Sequence, residues 1–485
     1  MPTLRALLVS ALAAAAVAAG SLPAQAVTIN GFGPGILAGS PLGQIVAGRE
    51  GDLWFTAPRF PAACSVARMT PGGVLSVFPA GQGTDESIGP IALGPDGDLW
   101  FTGSNGGGGV TLARIDPRGT VTAFESVLGQ SGAPEITPGP QSTMWLGISS
   151  GRDANSRGEL LRIAATGAQA RFAYPAAPGC STCTRNRIGG IAPGSEGAVW
   201  FTDSASHEGG SEEGLVGRVT LEGQVALFST GARFDGPSGY HVGGIVAGPE
   251  GDMWFTDSEG RIERVTPGGT VTEVAALTVA PAPPEGTVDE IAAGPDGNLW
   301  VTEPSSEEIA RITPQGAVTQ FSEAITGEPV SIASGPNDTL WFTERDGALG
   351  QVVFPPVVST VSARAGGRGA ATLTGTVNPF GQAVTACRFE YGTSSMYGSS
   401  VPCGSLPAAG EHSVCVSAPV FGLAAHTTYH FRIVATTAGG TSYGLDLEFT
   451  TASALAGHLP PLGHQPRRPS EWRWSLRHRW QPRAG

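Results

Sequence analysis

Seven tryptophans divide the first 350 residues of this chain, and each follows an isoleucine at the same distance of nine residues. The isoleucines are Ile45, Ile91, Ile136, Ile191, Ile245, Ile291 and Ile332, and the tryptophans are Trp54, Trp100, Trp145, Trp200, Trp254, Trp300 and Trp341. A fixed offset that recurs seven times indicates one structural unit copied seven times. Because one such unit cannot bury its own apolar face, neighbouring units have to stack on one another.

Each repeat unit contains four short runs of apolar or β-branched residues, separated by tight-turn residues. The clearest copy, residues 91–124, reads IALGPDGDLWFT, then a loop, then ARIDPRGTVTAF. Its glycines supply the positive φ that tight turns need, and no segment has a helical period. Four strands in about 45 residues are typical of a propeller blade. The chain is therefore predicted to be all-β, with a seven-bladed β-propeller over residues 27–354.

The seventh copy of the repeat ends after its third strand, at residues 349–354, just before two prolines. Residues 27–32 precede the first isoleucine and have no blade of their own. We expect these residues to form the outer strand of blade seven, because a ring closed between the two chain ends leaves no exposed sheet edge.

The direction of the strands decides which loops share a face of the ring. We label the strands of a blade A to D from the channel outwards. The loops that enter strand A and leave strand B then open on one face, the mouth face, whereas the tight A–B and C–D turns form the other, the turn face. Loops on the mouth face vary in length and charge. Variable loops on a rigid scaffold commonly carry function, so we expect the site around the channel mouth.

Acidic residues gather on the mouth face of blades four to seven, where strand B ends or strand A begins. They are Asp203, Asp257, Asp289, Glu303 and Glu344. Converging carboxylates bind a hard divalent cation and raise the pKa of one another. The alternative is structural, because each carboxylate can cap a loop or pair with an arginine of its own blade. Arginines recur near the start of strand C, which suggests bracing between blades. They are Arg68, Arg114, Arg162, Arg218, Arg264 and Arg311.

Three short strings of the repeat are WFTE at residues 341–344, WVTE at residues 300–303 and ARIT at residues 310–313. They resemble the blades of the streptogramin B lyases, the virginiamycin B lyase family. The resemblance covers residues 27–354. It implies a seven-bladed propeller with a Mg²⁺ site at its mouth, where a histidine removes an α-proton and a cyclic depsipeptide opens by elimination without water. Glu303 and Glu344 match glutamates of the family, and Asp289 and Asp257 complete our predicted ligand set for Mg²⁺ or Ca²⁺. We expect no organic cofactor.

The catalytic histidines of that family precede the strand A isoleucine by two residues, and no blade of this chain has a histidine there. The corresponding residues of the last two blades are Asp289 and Val330. His241, four residues before Ile245, is the candidate base because it enters blade five on the mouth face. His207 lies in an acidic loop of blade four and is interpreted as a solvated residue.

The ends and the charge of the chain limit its environment and its partners. Residues 1–26 have the pattern of a signal peptide, with Arg5, an apolar stretch and Ala-Gln-Ala, so a secreted or extracellular protein without a membrane anchor is expected. The net charge is −13, to which Arg5 and the residues after 452 contribute +6, so residues 27–452 carry −19. Such an acidic body argues against nucleic acid as a partner. The absence of lysine excludes Schiff-base and P-loop chemistry.

Six cysteines in an exported chain favour disulfides over metal or redox chemistry. Cys180 and Cys183 are expected to staple a loop between two repeats. Cys387 and Cys403 are the preferred pair in the C-terminal part, which leaves Cys64 and Cys415 without an assigned partner.

A second domain begins near residue 357, where the repeat stops. Alternating runs at residues 371–377, 387–391, 428–436 and 445–450 resemble a fibronectin type III-like sandwich over residues 357–452, with a spacer or adhesive role. Residues 453–485 form a basic tail rich in tryptophan and arginine that is predicted to be disordered. Such tails bind anionic lipids or cell-wall polymers, although a tail without function fits equally well.

Two functions from different classes follow. In the first, an exported and non-catalytic propeller binds a small molecule, a peptide or a cell-surface ligand on its mouth face. In the alternative, the chain is a Mg²⁺-dependent carbon–oxygen lyase that linearises type B streptogramins. A metal-dependent lactonase-like hydrolase is a weaker third alternative. The missing histidines favour binding, and a monomer is expected.

Overall fold

A computed structural model describes residues 27–32, 40–58, 64–80, 87–104, 110–128, 134–148, 158–164, 166–174, 185–206, 211–235, 242–248, 251–277, 290–367 and 369–452. These residues form β-strands joined by turns, together with single-turn 3₁₀ helices at Pro140–Ser142 and Pro304–Ser306. In this described part of the chain, no helix is long and apolar enough to cross a membrane.

Seven four-stranded antiparallel sheets account for residues 28–353 of the described chain. The first strand, β1 (Thr28–Phe32), belongs to the seventh sheet. Sheet one contains β2 (Ile45–Ala47), β3 (Leu53–Ala57), β4 (Ser65–Met69) and β5 (Leu75–Pro79). Sheet two contains β6 (Ser87–Leu93), β7 (Leu99–Ser104), β8 (Val110–Ile115) and β9 (Val121–Leu128). Sheet three contains β10 (Glu135–Gly139), β11 (Thr143–Ile148), β12 (Glu159–Ala164) and β13 (Gln169–Ala173). Sheets four and five contain β14 (Arg185–Pro193), β15 (Val199–Ser206), β16 (Ser211–Val219), β17 (Val225–Asp235); and β18 (Val242–Ala247), β19 (Met253–Asp257), β20 (Arg261–Val265), β21 (Val271–Ala276). Sheets six and seven contain β22 (Ile291–Ala293), β23 (Leu299–Glu303), β24 (Glu308–Ile312), β25 (Val318–Phe321); and β26 (Pro329–Gly335), β27 (Thr339–Glu344), β28 (Leu349–Val353) with β1.

The seven sheets form a closed ring. The first strand of each sheet contacts the first strand of the next, and β26 of the last sheet contacts β2 of the first. Buried threonines at the ends of the second strands donate hydrogen bonds across the junctions between sheets. Thr102 Oγ1 lies 3.0 Å from Pro134 O, Thr202 Oγ1 lies 2.7 Å from Gly243 O, and Thr343 Oγ1 lies 2.8 Å from Gly43 O. The predicted all-β propeller fold is therefore confirmed, and each sheet is a blade.

The repeated isoleucine and tryptophan pack across the junctions and not within one blade. Trp54 of blade one lies in a cluster with Ile91 of blade two. At the closing junction, Trp341 of blade seven lies in a cluster with Ile45 of blade one. The fixed offset in the sequence therefore records how one blade fits its neighbour.

The N-terminal strand completes the seventh blade, as predicted. β1 pairs antiparallel with β28, with Thr28 opposite Val353 and Phe32 opposite Leu349. The Phe32 ring stacks on Trp341 at 5.1 Å between ring centres. Blades one and two show the same stacking between the tryptophan and the outer-strand phenylalanine, Phe78 or Phe124.

The recurring arginines lie near the end of strand C, so the prediction that placed them near its start is wrong. Arg68 is the fourth of the five residues of β4 and pairs with Trp54 across the strands. Its Nη1 donates to Pro117 O in the C–D turn of the next blade, and Arg218 Nη1 donates to Pro267 O in the same way at 3.3 Å. These hydrogen bonds confirm the bracing between blades. They lie on the turn face, away from the predicted carboxylate site.

The C-terminal domain is a sandwich of two sheets. Its strands are β29 (Val357–Ala365), β30 (Ala371–Asn378), β31 (Ala386–Gly392), β32 (Ser399–Pro402), β33 (Val414–Val420), β34 (Thr428–Thr437), β35 (Gly440–Tyr443) and β36 (Leu447–Thr450). One sheet has the order β29-β30-β33 and the other β32-β31-β34-β35, with β36 also paired to β34. The predicted disulfide between Cys387 and Cys403 is present, with 5.4 Å between the Cα atoms. Cys64 is buried with its Sγ 3.2 Å from Pro58 O, and Cys415 is exposed.

The sandwich contacts the propeller on the turn face of blades six and seven. The Phe380 ring lies 6.2 Å from Phe354, which meets Trp300 edge-on at 5.6 Å. Gln382 Nε2 lies 3.5 Å from Asn337 O in the A–B turn of blade seven. Because these contacts use the turn face, the sandwich leaves the mouth face open.

Candidate functional site at the channel mouth

Asp257, one of the predicted metal ligands, is fully buried and is engaged within blade five. Its Oδ1 accepts hydrogen bonds from the backbone N–H groups of Glu259 and Arg261, each at 2.9 Å. Its Oδ2 lies 2.6 Å from Arg261 Nε. The carboxylate therefore caps the B–C turn and neutralises an arginine of its own blade.

Glu344 and Glu303, which match the glutamates of the streptogramin B lyases, are also fully buried. Glu344 Oε2 accepts from Thr326 N at 2.8 Å, Thr326 Oγ1 at 2.9 Å and Gly327 N at 2.7 Å, so it orders the loop that enters its own blade. Both Glu303 oxygens accept from Gln320 Nε2, at 3.2 and 3.0 Å. Burial raises the pKa of Glu303 to about 7, although the hydrogen bond from Gln320 opposes the shift.

These contacts bear on the predicted Mg²⁺ or Ca²⁺ site. A hard cation needs several oxygen ligands that converge on one point. Within the described residues, no three acidic, histidine or cysteine side chains converge in that way. Asp257, Glu303 and Glu344 each serve a different blade, so they do not fit a shared metal site. Metal binding stays a prediction, and Asp289, the fourth predicted ligand, lies outside the described residues.

Several other predicted residues also lie outside the described part of the chain. They are His241, His207, Cys180 and Cys183. The predicted role of His241 as a base and the predicted Cys180–Cys183 staple therefore remain predictions.

A cavity of about 270 Å³ opens on the mouth face beside the central channel. Five successive blades, three to seven, contribute to its wall. Its charged lining residues are Glu135 of blade three, Arg187 of blade four, Glu290 of blade six and Arg345 of blade seven. Arg345 is paired with Glu328 of its own blade, Nε to Oε2 at 2.7 Å. Two carboxyl groups from separate blades thus share one concave space.

Gln44 of blade one connects the sides of the channel. Its Oε1 accepts a hydrogen bond from Ile91 N of blade two at 2.8 Å, which fixes the orientation of the amide. Its Nε2 therefore points at Glu290 Oε1 of blade six, 3.4 Å away. Glu290 N in turn donates to Thr302 Oγ1 at 3.1 Å. One face of the Glu290 carboxyl is thus held in place while the group lines the cavity.

The two channel carboxyl groups have strongly raised pKa values. Burial raises the pKa of Glu135 to about 8, with a further rise from the charge of Glu290 and a lowering from Arg187. Burial raises the pKa of Glu290 to about 7, and the hydrogen bond from Gln44 lowers it. Burial thus places both pKa values at or above neutrality, and carboxyl groups shifted in this way cluster at ligand-binding and catalytic sites.

Glu135 and Glu290 were not predicted as site residues, because each stands one residue before its isoleucine and the predicted site positions lie two residues before it. Glu135 opens strand A of blade three and pairs with Gly147 in an unbroken register, whereas Glu290 lies directly before β22. The pattern within one strand therefore does not show which of the residues that enter strand A faces the cavity. The glutamate directly before the isoleucine, in two of seven repeats, was the available signal.

Comparison with known proteins adds to this geometry. A sequence model of the virginiamycin B lyase family matches residues 37–211 and 154–361, which together span more than half of the chain. Selenomethionine-substituted virginiamycin B lyase from Staphylococcus aureus is similar in structure, with a TM-score of 0.52 at 22% identity over 67% of this chain and 99% of that chain. A catalytically inactive variant of the Staphylococcus aureus enzyme with quinupristin gives a TM-score of 0.51 at 20% identity, over 67% and 99% of the two chains.

A streptogramin B lyase structure is similar to the same extent, with a TM-score of 0.51 at 22% identity over 67% of this chain and 97% of that chain. At these identities the solved structures show a shared fold. A search of curated protein sequences finds no significant match.

Proposed function

Since the chain belongs to the virginiamycin B lyase family, we propose that its propeller binds a ligand through a cationic group at the mouth of the central channel. The observation that carries this proposal is the pair of carboxyl groups, Glu135 and Glu290, in the wall of one cavity. A pocket that combines apolar walls with a few converging polar groups is the usual form of a small-molecule site.

The charges around the cavity favour a cation over an anion. Arg345 is already paired with Glu328 at 2.7 Å, and Glu135 and Glu290 lie close enough for the charge of Glu290 to raise the pKa of Glu135. Residues 27–452 carry −19 in total, which attracts cationic ligands to the surface. A bound ammonium or guanidinium group would replace the lost solvation of the two carboxylates and stabilise their ionised forms.

The elimination chemistry of the family has no matching histidine in this chain. The residues two before each isoleucine are Gly43, Gly89, Pro134, Gly189, Gly243, Asp289 and Val330. Proton abstraction needs a base within hydrogen-bond reach of the substrate. Binding without ring opening is therefore the primary function that we propose for the mouth face.

Calorimetry with agmatine, a small molecule with a guanidinium and an amino group, tests the binding proposal. Both carboxyl groups must be ionised to hold a cation, so affinity should rise by at least about tenfold between about pH 6 and about pH 8.5. Glu290→Gln should abolish most of this rise. Glu303→Gln is the matched control, because Glu303 is buried on the same face but outside the cavity wall. Absence of binding at about pH 8.5, or equal affinity for neutral butylurea, would overturn the proposal.

A second candidate, elimination with a glutamate base, rests on the raised pKa values of Glu135 and Glu290. A general base works best when its pKa lies near the pH of the reaction. In such a reaction the carboxylate takes the α-proton, the ester C–O bond breaks, and the ring opens without added water.

Quinupristin with Mg²⁺ distinguishes the two candidates. Ring opening by elimination gives a linear isomer of unchanged mass and altered retention time, whereas hydrolysis adds one water. We expect neither product. If the isomer appears and Glu135→Gln or Glu290→Gln abolishes it, the lyase is the function, and survival of activity in both variants would point to His241 instead.

We further propose that the protein is exported and that its C-terminal sandwich is a fibronectin type III-like spacer. The Cys387–Cys403 disulfide supports an oxidising compartment. The sandwich occupies the turn face and leaves the cavity accessible, as a spacer should. Secretion of the mature chain beginning near Val27, measured by N-terminal sequencing of culture medium, tests the export.

A further inference from the structure

The junction between blades seven and one differs from the other junctions at the residue opposite the tryptophan. In blades one to six this residue is an arginine, and in blade seven it is Gln351, opposite Trp341. In five of those blades the guanidinium carbon lies 5.7 to 5.9 Å from the centre of the tryptophan ring, and Arg162 lies 5.5 Å from the Phe172 ring. Blade seven thus has the aromatic platform without its cation.

The arginines also fill the space between one blade and the C–D turn of the next. Arg68, Arg162 and Arg218 donate to turn carbonyls of the following blade. The turn glycine of that blade packs against the outer-strand phenylalanine, as Gly119 does on Phe78. At the closing junction, a Cβ atom added to Gly73 of blade one would have no other atom within 4 Å. Among the described C–D turn glycines, only Gly167 shares this feature.

A groove of about 770 Å³ results at the closing junction. Trp341, Phe32 and Gln351 form one wall, and Met69, Leu75 and the Thr70–Gly73 turn form the other. Phe32 is 39% exposed, which is unusual for a ring that stacks on a tryptophan. Among the described residues that line the groove, none has a charged side chain.

We propose that this closing groove binds an arginine side chain from the basic tail of the same chain, residues 453–485. A guanidinium over Trp341 and Phe32 would repeat the stacking of blades one to six and donate to the Pro71 carbonyl, which corresponds to Pro117 and Pro267. The tail has six arginines and one glutamate, and residues 27–452 carry −19. The whole acidic part of the chain therefore attracts the tail, and the groove supplies the specific contact.

The tail can reach the groove. The tail follows β36, which pairs with the Thr428 end of β34. The other end of β34 leads to Gly439, which lies beside Phe354 of the propeller, so the tail starts about one length of β34 away from the propeller. The ten residues of β34 span roughly 33 Å, and Pro336 of the groove adjoins Asn337, which contacts the sandwich. Fifteen extended residues from Ala452 to Arg467 cover up to about 50 Å, so every tail arginine is within range.

Limited trypsin digestion of the full mature chain tests the proposal. Since the chain has no lysine, trypsin cuts only after arginine, and each tail cleavage is identified by mass. At least one tail arginine should be cut about five- to tenfold more slowly than in a synthetic peptide of residues 466–484. Gln351→Arg fills the groove from within and should bring that cleavage to the rate of the free peptide.

Gln351→Glu is the matched control, because it adds an opposite charge at the same position and should slow the cleavage further. Both variants are first compared with the wild type by thermal unfolding, so that a folding defect is recognised. Equal tail cleavage in the wild type and both variants would overturn the proposal. Protection that increases with protein concentration would also overturn it, because the groove would then hold the tail of a second copy.

Discussion

Two sets of carboxyl groups lie on the mouth face, and they have different roles although both consist of acidic side chains at the channel end of the blades. Asp257, Glu303 and Glu344 end strand B, are fully buried and bind groups of their own blade. Glu135 and Glu290 precede strand A and face a shared cavity. The difference teaches that the place on the blade decides the role, because a carboxyl group at the end of strand B is held by its own blade, whereas one at the start of strand A faces the channel.

The largest effect should come from Asp257→Ala. This change removes the acceptor of Arg261 Nε and of two backbone N–H groups, so the free energy of unfolding should fall by about 3 kcal/mol. Denaturant unfolding at neutral pH measures it. Asp257→Asn keeps an oxygen for the two N–H groups and should lose less, and an unchanged midpoint for Asp257→Ala would contradict the structural role.

Glu344→Ala should have the next largest effect on stability. One oxygen of Glu344 accepts three hydrogen bonds from Thr326 and Gly327, and their loss should cost about 2 kcal/mol. Glu344→Gln retains an acceptor and is the control. Faster proteolysis within residues 322–328 of the alanine variant would localise the change, and equal loss in both variants would show that charge, not capping, matters.

The channel pair should make stability fall as the pH rises. Because the folded pKa values of Glu135 and Glu290 lie near 8 and 7, above the value of 4.5 for an ordinary glutamate, the folded state holds extra protons between about pH 4.5 and 8. Stability is therefore greatest at the acid end of this window and decreases toward its basic end. The Glu135→Gln/Glu290→Gln variant should regain on the order of 1 kcal/mol at about pH 8.5.

Thermal unfolding at both ends of that pH window measures the contribution of the pair. Part of the decrease should remain in the double variant, since burial also raises the pKa of Glu263 and Glu303 to about 7. A pH dependence identical to that of the wild type would show that the two channel groups are not protonated in the folded protein near neutral pH.

Glu303→Gln should produce the smallest effect. Among the described residues the side chain that hydrogen-bonds this carboxyl group is Gln320, and burial raises its pKa to about 7. An amide should therefore change the free energy of unfolding by less than about 1 kcal/mol. Titration calorimetry with Mg²⁺ and Ca²⁺ on the wild type and this variant also checks the predicted metal site. A metal signal that disappears in Glu303→Gln would restore Glu303 as a ligand.

Much of the fold was predictable because it depends on a local pattern repeated seven times. The offset between Ile91 and Trp100 identified the blades, and residues 27–32 were assigned to the seventh blade because that copy lacked a fourth strand. Four strands of the sandwich were not predicted, because no repeat reinforces their patterns. They are Val357–Ala365, Ser399–Pro402, Val414–Val420 and Gly440–Tyr443.

The site was predictable only in its location. Face and blade follow from strand direction, which the sequence pattern indicates, but which of the residues that enter strand A faces the cavity depends on how several blades pack around the channel. The contact between Gln44 and Glu290 joins residues 246 positions apart in the sequence, in blades one and six, which ring closure places only two blades apart. No local pattern predicts such a pair.

By itself the sequence determined the all-β architecture, the number of repeats, the closure by the N-terminal strand and the absence of the histidines of the family. The tertiary structure decided which acidic groups are caps and which face the channel, and it showed that the closing junction lacks the arginine that braces other blades. The physical reason is the range of the interactions. Turns, strand periods and repeats act over a few residues, whereas burial, raised pKa values and the gap at Gln351 depend on atoms that only ring closure brings together.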